Sequence, residues 1–142
     1  LSQEIQMLRC YLKLQQFRYA DAFQYELVLD ENFEEATIPA SILLTLFENL
    51  VEYAMYRQHT NSHFTICFTV QTNAVILDVD VKGDVGQALL DYTPEYRKQQ
   101  MKWEHQIELL NEAKGYNIKK EVIFLKTQPA SGNICLSIPN LA

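Results

Sequence analysis

The sequence predicts an α+β fold, a two-layer sandwich in which a mixed, mostly antiparallel sheet has its helices on one face. The pattern along the chain is the first reason. Segments of helical periodicity and segments of apolar-polar alternation follow in the order helix, strand, helix, two strands, helix, two strands. The second reason is that tight turns join several strands, which favours antiparallel pairing and leaves the helices to cover a single face.

The first half of the chain predicts a helix, a strand and a second helix. Residues 2–18 have one apolar stripe, which contains Ile5, Leu8, Tyr11, Leu12 and Gln15. Residues 22–30 alternate with period two, as in a half-buried strand, and the apolar set is Phe23, Tyr25, Leu27 and Leu29. After the acidic link 30–37, Pro39 suits the first turn of a helix predicted over about 39–57.

The second half predicts two hairpins separated by a helix. Residues 63–71 and 74–83 both alternate with period two and are joined by a short turn, so they form the first hairpin. A loop follows up to Thr93. Residues 94–113 then predict a helix that ends at Gly115, with Met101, Trp103, Ile107 and Leu110 available for burial. Residues 119–127 and 132–140 predict the second hairpin.

Length and composition predict one globular domain over residues 1–142. Hydrophobic residues make up 48% of the chain, which is enough to fill one core. The formal charge is -6 and the basic residues are scattered, so a nucleic-acid partner is not expected. The three cysteines are flanked by apolar residues, as in reduced thiols of a cytosolic protein. The longest apolar run is far shorter than the roughly 20 residues that cross a bilayer.

An acid and an amide interrupt the second predicted helix. In "ILLTLFENLVEYAMYRQ", residues 42–58, apolar residues repeat at three- and four-residue spacing and define a buried face. Glu48 and Asn49 stand side by side within this pattern. An exposed polar step is the simpler interpretation of such a pair. A carboxylate and an amide oxygen are also the ligands that a hard cation such as Mg²⁺ takes.

Residues 1–58 resemble the ATP-binding domain of LytS-type sensor histidine kinases, part of the GHKL superfamily that also holds gyrase and MutL. The family has a segment similar to "L-x-x-E-x-x-x-L-x-x-Y-L-x-L-x-x-x-R", then "R-F-x-D-R-F", a strand and "I-P-x-x-x-L-Q-P-L-V-E-N-A-x-K-H-G". This chain has "LSQEIQMLRCYLKLQQFRYADAFQYEL" followed by "IPASILLTLFENLVEYA". The remaining residues resemble the family mainly in the order of elements. The resemblance implies the GHKL (Bergerat) type of sandwich.

The resemblance also implies a site for ATP and Mg²⁺ on the second helix. As the family's N-box, Asn49 would ligate the Mg²⁺ that bridges the nucleotide phosphates, and Glu48 would act as a metal-shell group or proton acceptor. Glu52 and Tyr53 occupy the next nucleotide-facing positions. Residues 1–18 would be a leading helix that continues from an upstream dimerisation segment.

Three of the family's nucleotide elements are altered in this chain. Glu52 stands where the N-box has a basic residue, and an acid beside a triphosphate repels it. Val81, Lys82 and Gly83 stand at the family's D-x-G, which leaves Asp80 and Asp84 as displaced candidates for contact with adenine. Trp103, Glu104 and His105 stand where a glycine-rich segment would let the backbone approach phosphates.

Two functions are therefore expected from the resemblance. The first is the catalytic and ATP-binding domain of a two-component sensor histidine kinase, which transfers the γ-phosphoryl of ATP to an upstream histidine and acts on a response regulator. It would be cytoplasmic, or the cytoplasmic part of a membrane sensor, and would belong to a homodimer. The second is a degenerate module of the same fold that dimerises or binds a regulator without ATP turnover. His59, His63 and His105 do not match the family's phosphoacceptor segment.

Overall fold

The elements follow one another as the alternation of patterns predicts. The computed structural model describes residues 1–20, 23–39, 42–48, 62–83, 94–125 and 131–142. Its elements in chain order are α1 (Ser2–Tyr19), β1 (Phe23–Leu29), a 3-10 turn (Phe33–Glu35), α2 (residues 42–48), β2 (Ser62–Val70), β3 (Ala74–Gly83), α3 (Pro94–Lys114), β4 (Lys119–Leu125) and β5 (Ser131–Pro139). The turn Phe33–Glu35, inside the acidic link, is an element that the sequence pattern did not predict.

The described strands form one mixed sheet in the order β1, β2, β3, β5, β4. β1 pairs in parallel with β2, whereas β2 with β3, β3 with β5, and β5 with β4 are antiparallel. The parallel pair needs a connection that crosses from one end of the sheet to the other, and α2 lies within that connection. The mixed, mostly antiparallel sheet of the predicted sandwich is confirmed.

One face of the sheet is buried by the helices. Phe23 and Phe64 of adjacent parallel strands are fully buried, with ring centroids 5.4 Å apart. Burying one such side chain contributes about 1.5–3 kcal/mol. The same core includes residues of α1, α2 and α3 as well as alternate residues of the strands, among them Ile5, Leu8, Leu12, Leu43, Leu46, Phe47, Ile66, Leu77, Val79, Ile107, Leu136 and Ile138. The predicted inward stripe of α1 and the burial of Ile107 are thereby confirmed.

The end of α3 is fixed by a glycine and an asparagine. Gly115 has a φ of 69°, in the left-handed region that glycine adopts without strain, and it ends the helix as predicted. The Asn111 Oδ1 accepts a hydrogen bond from the Ile118 amide at 2.9 Å, and its Nδ2 donates to the Ile118 carbonyl at 3.2 Å. These two bonds direct the chain from the last turn of α3 into β4.

Asp30 joins the end of β1 to the end of β2. Its Oδ1 accepts a hydrogen bond from the Asn32 amide and its Oδ2 accepts one from the Val70 amide, both at 3.0 Å. Its own amide donates to the Phe68 carbonyl at 3.1 Å. The two amides that donate to the carboxylate, Asn32 first and Val70 second, lower the pKa of Asp30 below its ordinary value. The ionised carboxylate therefore stabilises the parallel pair of strands.

We expect Asp30→Asn to lower the melting temperature at pH 7, because an amide oxygen accepts these hydrogen bonds more weakly than a carboxylate does. The folded-state pKa lies below the unfolded value of about 3.8, so the stabilisation is complete above that value. It is lost as the pH falls through the folded pKa. Thermal unfolding at pH 7 and down to about pH 2.5 should show the two proteins converging in acid. Glu31→Gln, at an exposed neighbouring position, is the control, and an Asp30→Asn difference that persists unchanged in acid contradicts the assignment.

Candidate nucleotide site

The described part of α2 places Glu48 at the border of the core. Ile42, Leu43, Leu46 and Phe47 are at most 3% exposed and pack into the core beneath the helix. Glu48 follows directly and is half-buried. Successive helix residues are about 100° apart, so Glu48 points along the edge of the buried stripe and not into it. A carboxylate in this position can reach a ligand while its helix stays anchored in the core.

The chain that leads into α2 is held by Asn140, which lies just after β5. Its Oδ1 accepts a hydrogen bond from the Thr37 amide at 3.1 Å, and its Nδ2 donates to the Gln71 carbonyl at 3.0 Å. The Leu141 amide donates to the Thr37 carbonyl at 2.7 Å. Ile38, which follows Thr37, is 6% exposed. Asn140 thus ties three segments together at the point where the chain turns toward α2.

Asp80 lies on the opposite face of the sheet from Glu48. Val79 and Val81 on either side of it are fully buried on the helix-covered face, so Asp80 points the other way and is exposed. The Asn133 Nδ2 donates to the Oδ1 of Asp80 at 2.7 Å and to the Oδ1 of Asp78 at 2.5 Å. Asp80 therefore lies with Asp78 and Asn133 on the sheet face opposite the helix-covered one, here called the open face. The structure does not bring Asp80 together with Glu48.

The described part of α3 makes a polar contact with β4. Glu104 of α3 forms an ion pair with Lys120 of β4, while His105 is exposed. Among the described residues, no group of three or more histidines, cysteines or acids is arranged to hold a metal ion. None of the described helices is both long enough and apolar enough to span a bilayer.

Comparison with known proteins relates this chain to sensor kinases. No protein-family model matches it. It is 28% identical over 83 residues to the sensor protein LytS of Staphylococcus epidermidis and 30% identical over 83 residues to LytS of Bacillus subtilis, in each case over 58% of this chain. The chain spans only 14% of the length of these relatives.

Solved structures share its fold. The catalytic domain of histidine kinase ThkA, in a nucleotide-free form, superposes with a TM-score of 0.65 and 12% identity over 99% of this chain and 92% of that one. The mycobacterial sensor histidine kinase MprB gives 0.61 with 12% identity over 96% and 93%. The chain has the fold of histidine-kinase catalytic domains and is similar in sequence to LytS sensor proteins. The predicted resemblance and the predicted fold are thereby confirmed.

The structure places some of the predicted site residues and not others. Glu48 lies at the border of the core and Asp80 on the open face. Asn49, Glu52, Tyr53 and Asp84 lie outside the described residues, so their roles remain predictions. Val81, at the position where the resemblance implies an Asp, is fully buried on the face that α2 covers. A carboxylate for contact with adenine is therefore lacking at this position of β3.

Sequence reasoning missed Asn140, which holds the segment that leads into α2. Its partners Thr37 and Gln71 are 103 and 69 residues away in the chain, so no local pattern links them. The local signal was an asparagine directly after a strand that ends in proline, a place where a side chain often hydrogen-bonds to backbone.

Two thiols flank Asp78 on the open face. Cys67 of β2 and Cys135 of β5 are the register partners of Asp78 on its two sides. Burial raises the pKa of the Cys67 thiol, and Asp78, Asp80 and Glu26 raise it further. Burial also raises the pKa of Cys135, with Asp78 and Glu121 adding to the effect. A negative charge nearby disfavours the thiolate, so both sulfurs remain protonated at neutral pH.

We expect Asn140→Ala to destabilise the domain by about 1–2 kcal/mol, because it removes hydrogen bonds to Thr37 and Gln71 at once. Urea unfolding followed by circular dichroism measures this loss. Asn117→Ala, an exposed asparagine in the α3–β4 connection, is the matched control and should change stability little. Equal stabilities of the two variants would show that Asn140 does not hold the start of α2.

We expect Cys10 to react first with the thiol reagent DTNB, since it is exposed and the other two thiols are half-buried with raised pKa values. Cys10→Ser should remove the fast phase and leave two slow ones. Raising the pH above the ordinary thiol range should accelerate the slow phases, because it forms their thiolates. A fast phase that persists in Cys10→Ser would contradict the protection of the open face.

Proposed function

We propose that this domain binds ATP with Mg²⁺ and serves as the catalytic part of a two-component sensor histidine kinase. The observation that carries the proposal is the position of Glu48, half-buried at the border of the core on an anchored helix. The sequence similarity to LytS sensor proteins and the fold shared with histidine-kinase catalytic domains support it.

The N-box pair would supply the oxygen ligands of the site. Asn49 would offer its amide oxygen to the metal, and the Glu48 carboxylate would hold a water of the metal shell or accept a proton. These groups fit Mg²⁺, which binds through one or two protein oxygens together with phosphates and water. When bound, Mg²⁺ supplies neutralisation of the negative charge that concentrates on the phosphates.

The altered positions would shape a pocket different from the family's usual one. Glu52 would reach the phosphates only through water or the metal shell, because its charge repels them directly. Tyr53 would line the pocket, and Asp84 would be the remaining carboxylate for the adenine amine. Asp80 has no part in this pocket, since it lies on the open face with Asn133.

The reaction would be a transfer of the γ-phosphoryl to a histidine outside this sequence. The bond from the γ-phosphorus to the bridging oxygen breaks, a phosphorus–nitrogen bond forms to the imidazole, and ADP leaves with the bonding electron pair. The ring proton passes to a base, and Glu48 is our candidate. Positioning and charge neutralisation provide most of the catalysis in this class of reaction.

The wider setting is part of the same proposal. The domain 1–142 would work on the cytoplasmic side, as a soluble protein or as part of a membrane sensor, with α1 continuing from an upstream dimerisation segment. A response regulator would receive the phosphoryl group. The alternative is a module of the same fold that dimerises or holds a regulator without turning over nucleotide.

Thermal unfolding with and without Mg-ATP tests the proposal. Ligand at about 100 times its dissociation constant should add about 2.7 kcal/mol and raise Tm by several degrees. We expect Asn49→Ala to abolish the shift in Tm, and we expect removal of Mg²⁺ with EDTA to make the shift much smaller. Asn117→Ala, an exposed asparagine outside α2, is the control and should keep the full shift.

Two outcomes would decide against parts of the proposal. Absence of any shift at several millimolar Mg-ATP would exclude the kinase function and leave the module without ATP turnover. A full shift in Asn49→Ala would keep nucleotide binding but show that the metal ligand lies elsewhere.

A further inference from the structure

Helix α1 has a second apolar stripe on the face opposite the core. Met7, Leu14 and Phe17 are 45%, 65% and 90% exposed, and Cys10 between them is exposed as well. These positions are separated by three, four and three residues. That spacing is the heptad pattern of a helix that packs against another helix, with Met7 and Leu14 at a positions and Cys10 and Phe17 at d positions.

The stripe is separate from the one that anchors α1. Ile5, Leu8 and Leu12 are at most 1% exposed and pack into the core. In the heptad set by Met7 they take the f and b positions, directly across the helix from a and d. A helix that carries two opposite apolar stripes can be held by the sheet on one side and by a second helix on the other.

Basic side chains border the outer stripe. Lys13 at a g position and Arg18 at an e position lie beside the stripe and are exposed, whereas Arg9 lies farther round the helix at a c position. α1 has three basic residues against one acid, whereas the rest of the chain has nine basic residues against 17 acids. Arg18 stacks on the ring of Tyr19, with 5.2 Å between its guanidinium carbon and the ring centroid. In the part of the chain that the structure describes, no ion pair joins Lys13 or Arg18 to an acid. The stripe is thus an apolar seam with positive borders on an acidic domain.

We propose that the outer stripe of α1 docks an amphipathic helix that has apolar residues at heptad spacing and acidic residues beside them. The apolar seam would receive the partner's apolar positions, and Lys13 and Arg18 would face its carboxylates. Charges beside such a seam set the choice of partner more than the strength of binding. This surface lies outside the candidate nucleotide site, so the proposal is independent of ATP binding.

Charge disfavours two other occupants. In a parallel pair formed with the α1 of a second copy, Lys13 at a g position would face Arg18 at an e position, and like charges there repel. A membrane surface with anionic lipids would attract α1 but repel the acidic remainder of the domain. The exposed stripe is also narrower than the broad apolar face of a helix that lies in a lipid interface.

Two synthetic helical peptides test the proposal, both with leucine at a and d. One has glutamate at e and g and the other has lysine there, so like-charge repulsion keeps each largely unpaired with itself. In fluorescence anisotropy at low salt, we expect the glutamate peptide to bind the domain about tenfold more tightly than the lysine peptide, a difference of about 1.4 kcal/mol. Added salt should reduce the difference.

Variants of exposed residues show whether the stripe is the site. Leu14→Gln with Phe17→Gln should weaken glutamate-peptide binding about tenfold, while Val28→Gln, a 53% exposed apolar residue on β1, should not. Lys13→Glu with Arg18→Glu should reverse the preference toward the lysine peptide. Circular dichroism melts confirm that each variant is folded, as their exposed positions lead us to expect.

Several outcomes would overturn the proposal. These are equal affinity for the two peptides, no binding of either, or a preference that Lys13→Glu with Arg18→Glu leaves unchanged. Self-association of the domain in sedimentation velocity that Leu14→Gln with Phe17→Gln abolishes would assign the stripe to a second copy. Binding to phosphatidylserine vesicles that the same variant abolishes, without peptide binding, would assign it to a membrane.

Discussion

The packing of α1 and α2 against one face of the sheet decides where the other groups of this molecule can lie. Phe23, Phe64 and Val79 point to that face and are fully buried. Because side chains alternate along a strand, their neighbours must point to the opposite face. That face collects Asp78, Asp80, Asn133 and the two half-buried thiols. Any ligand of α2 must therefore bind on the helix-covered side of the sheet, where Glu48 borders the core.

The faces of the strands and helices could be predicted because one buried face fixes the parity of each strand. Phe23 and Tyr25 alternate with exposed Gln24 and Glu26 as the pattern implies. The same parity rule, applied to the apolar Val79 and Val81, separates Asp80 from Glu48 on sequence alone. Motif spacing instead predicted that both acids lie near the nucleotide, because spacing along the chain does not distinguish the two sides of a sheet.

What the sequence could not supply are contacts between distant segments. Asp30 accepts a hydrogen bond from an amide 40 residues away, and Asn140 accepts one from an amide 103 residues away. Neither hydrogen bond produces a periodic pattern in the sequence, because a side chain that bonds to the backbone needs only one suitable residue. The exposure of Leu14 and Phe17 could not be predicted either. A helix with two apolar stripes does not show from its sequence alone which stripe faces the core, because that depends on where the neighbouring strands lie.

The two outermost strands of the described sheet, β1 and β4, offer unpaired backbone groups to other chains. β4 begins with Lys119, Lys120 and Glu121, all exposed. Charged side chains on a border strand make the addition of a foreign strand costly, because ammonium and carboxylate groups would lose water. The start of β4 is thereby protected against edge-to-edge aggregation when many copies of the domain are crowded together.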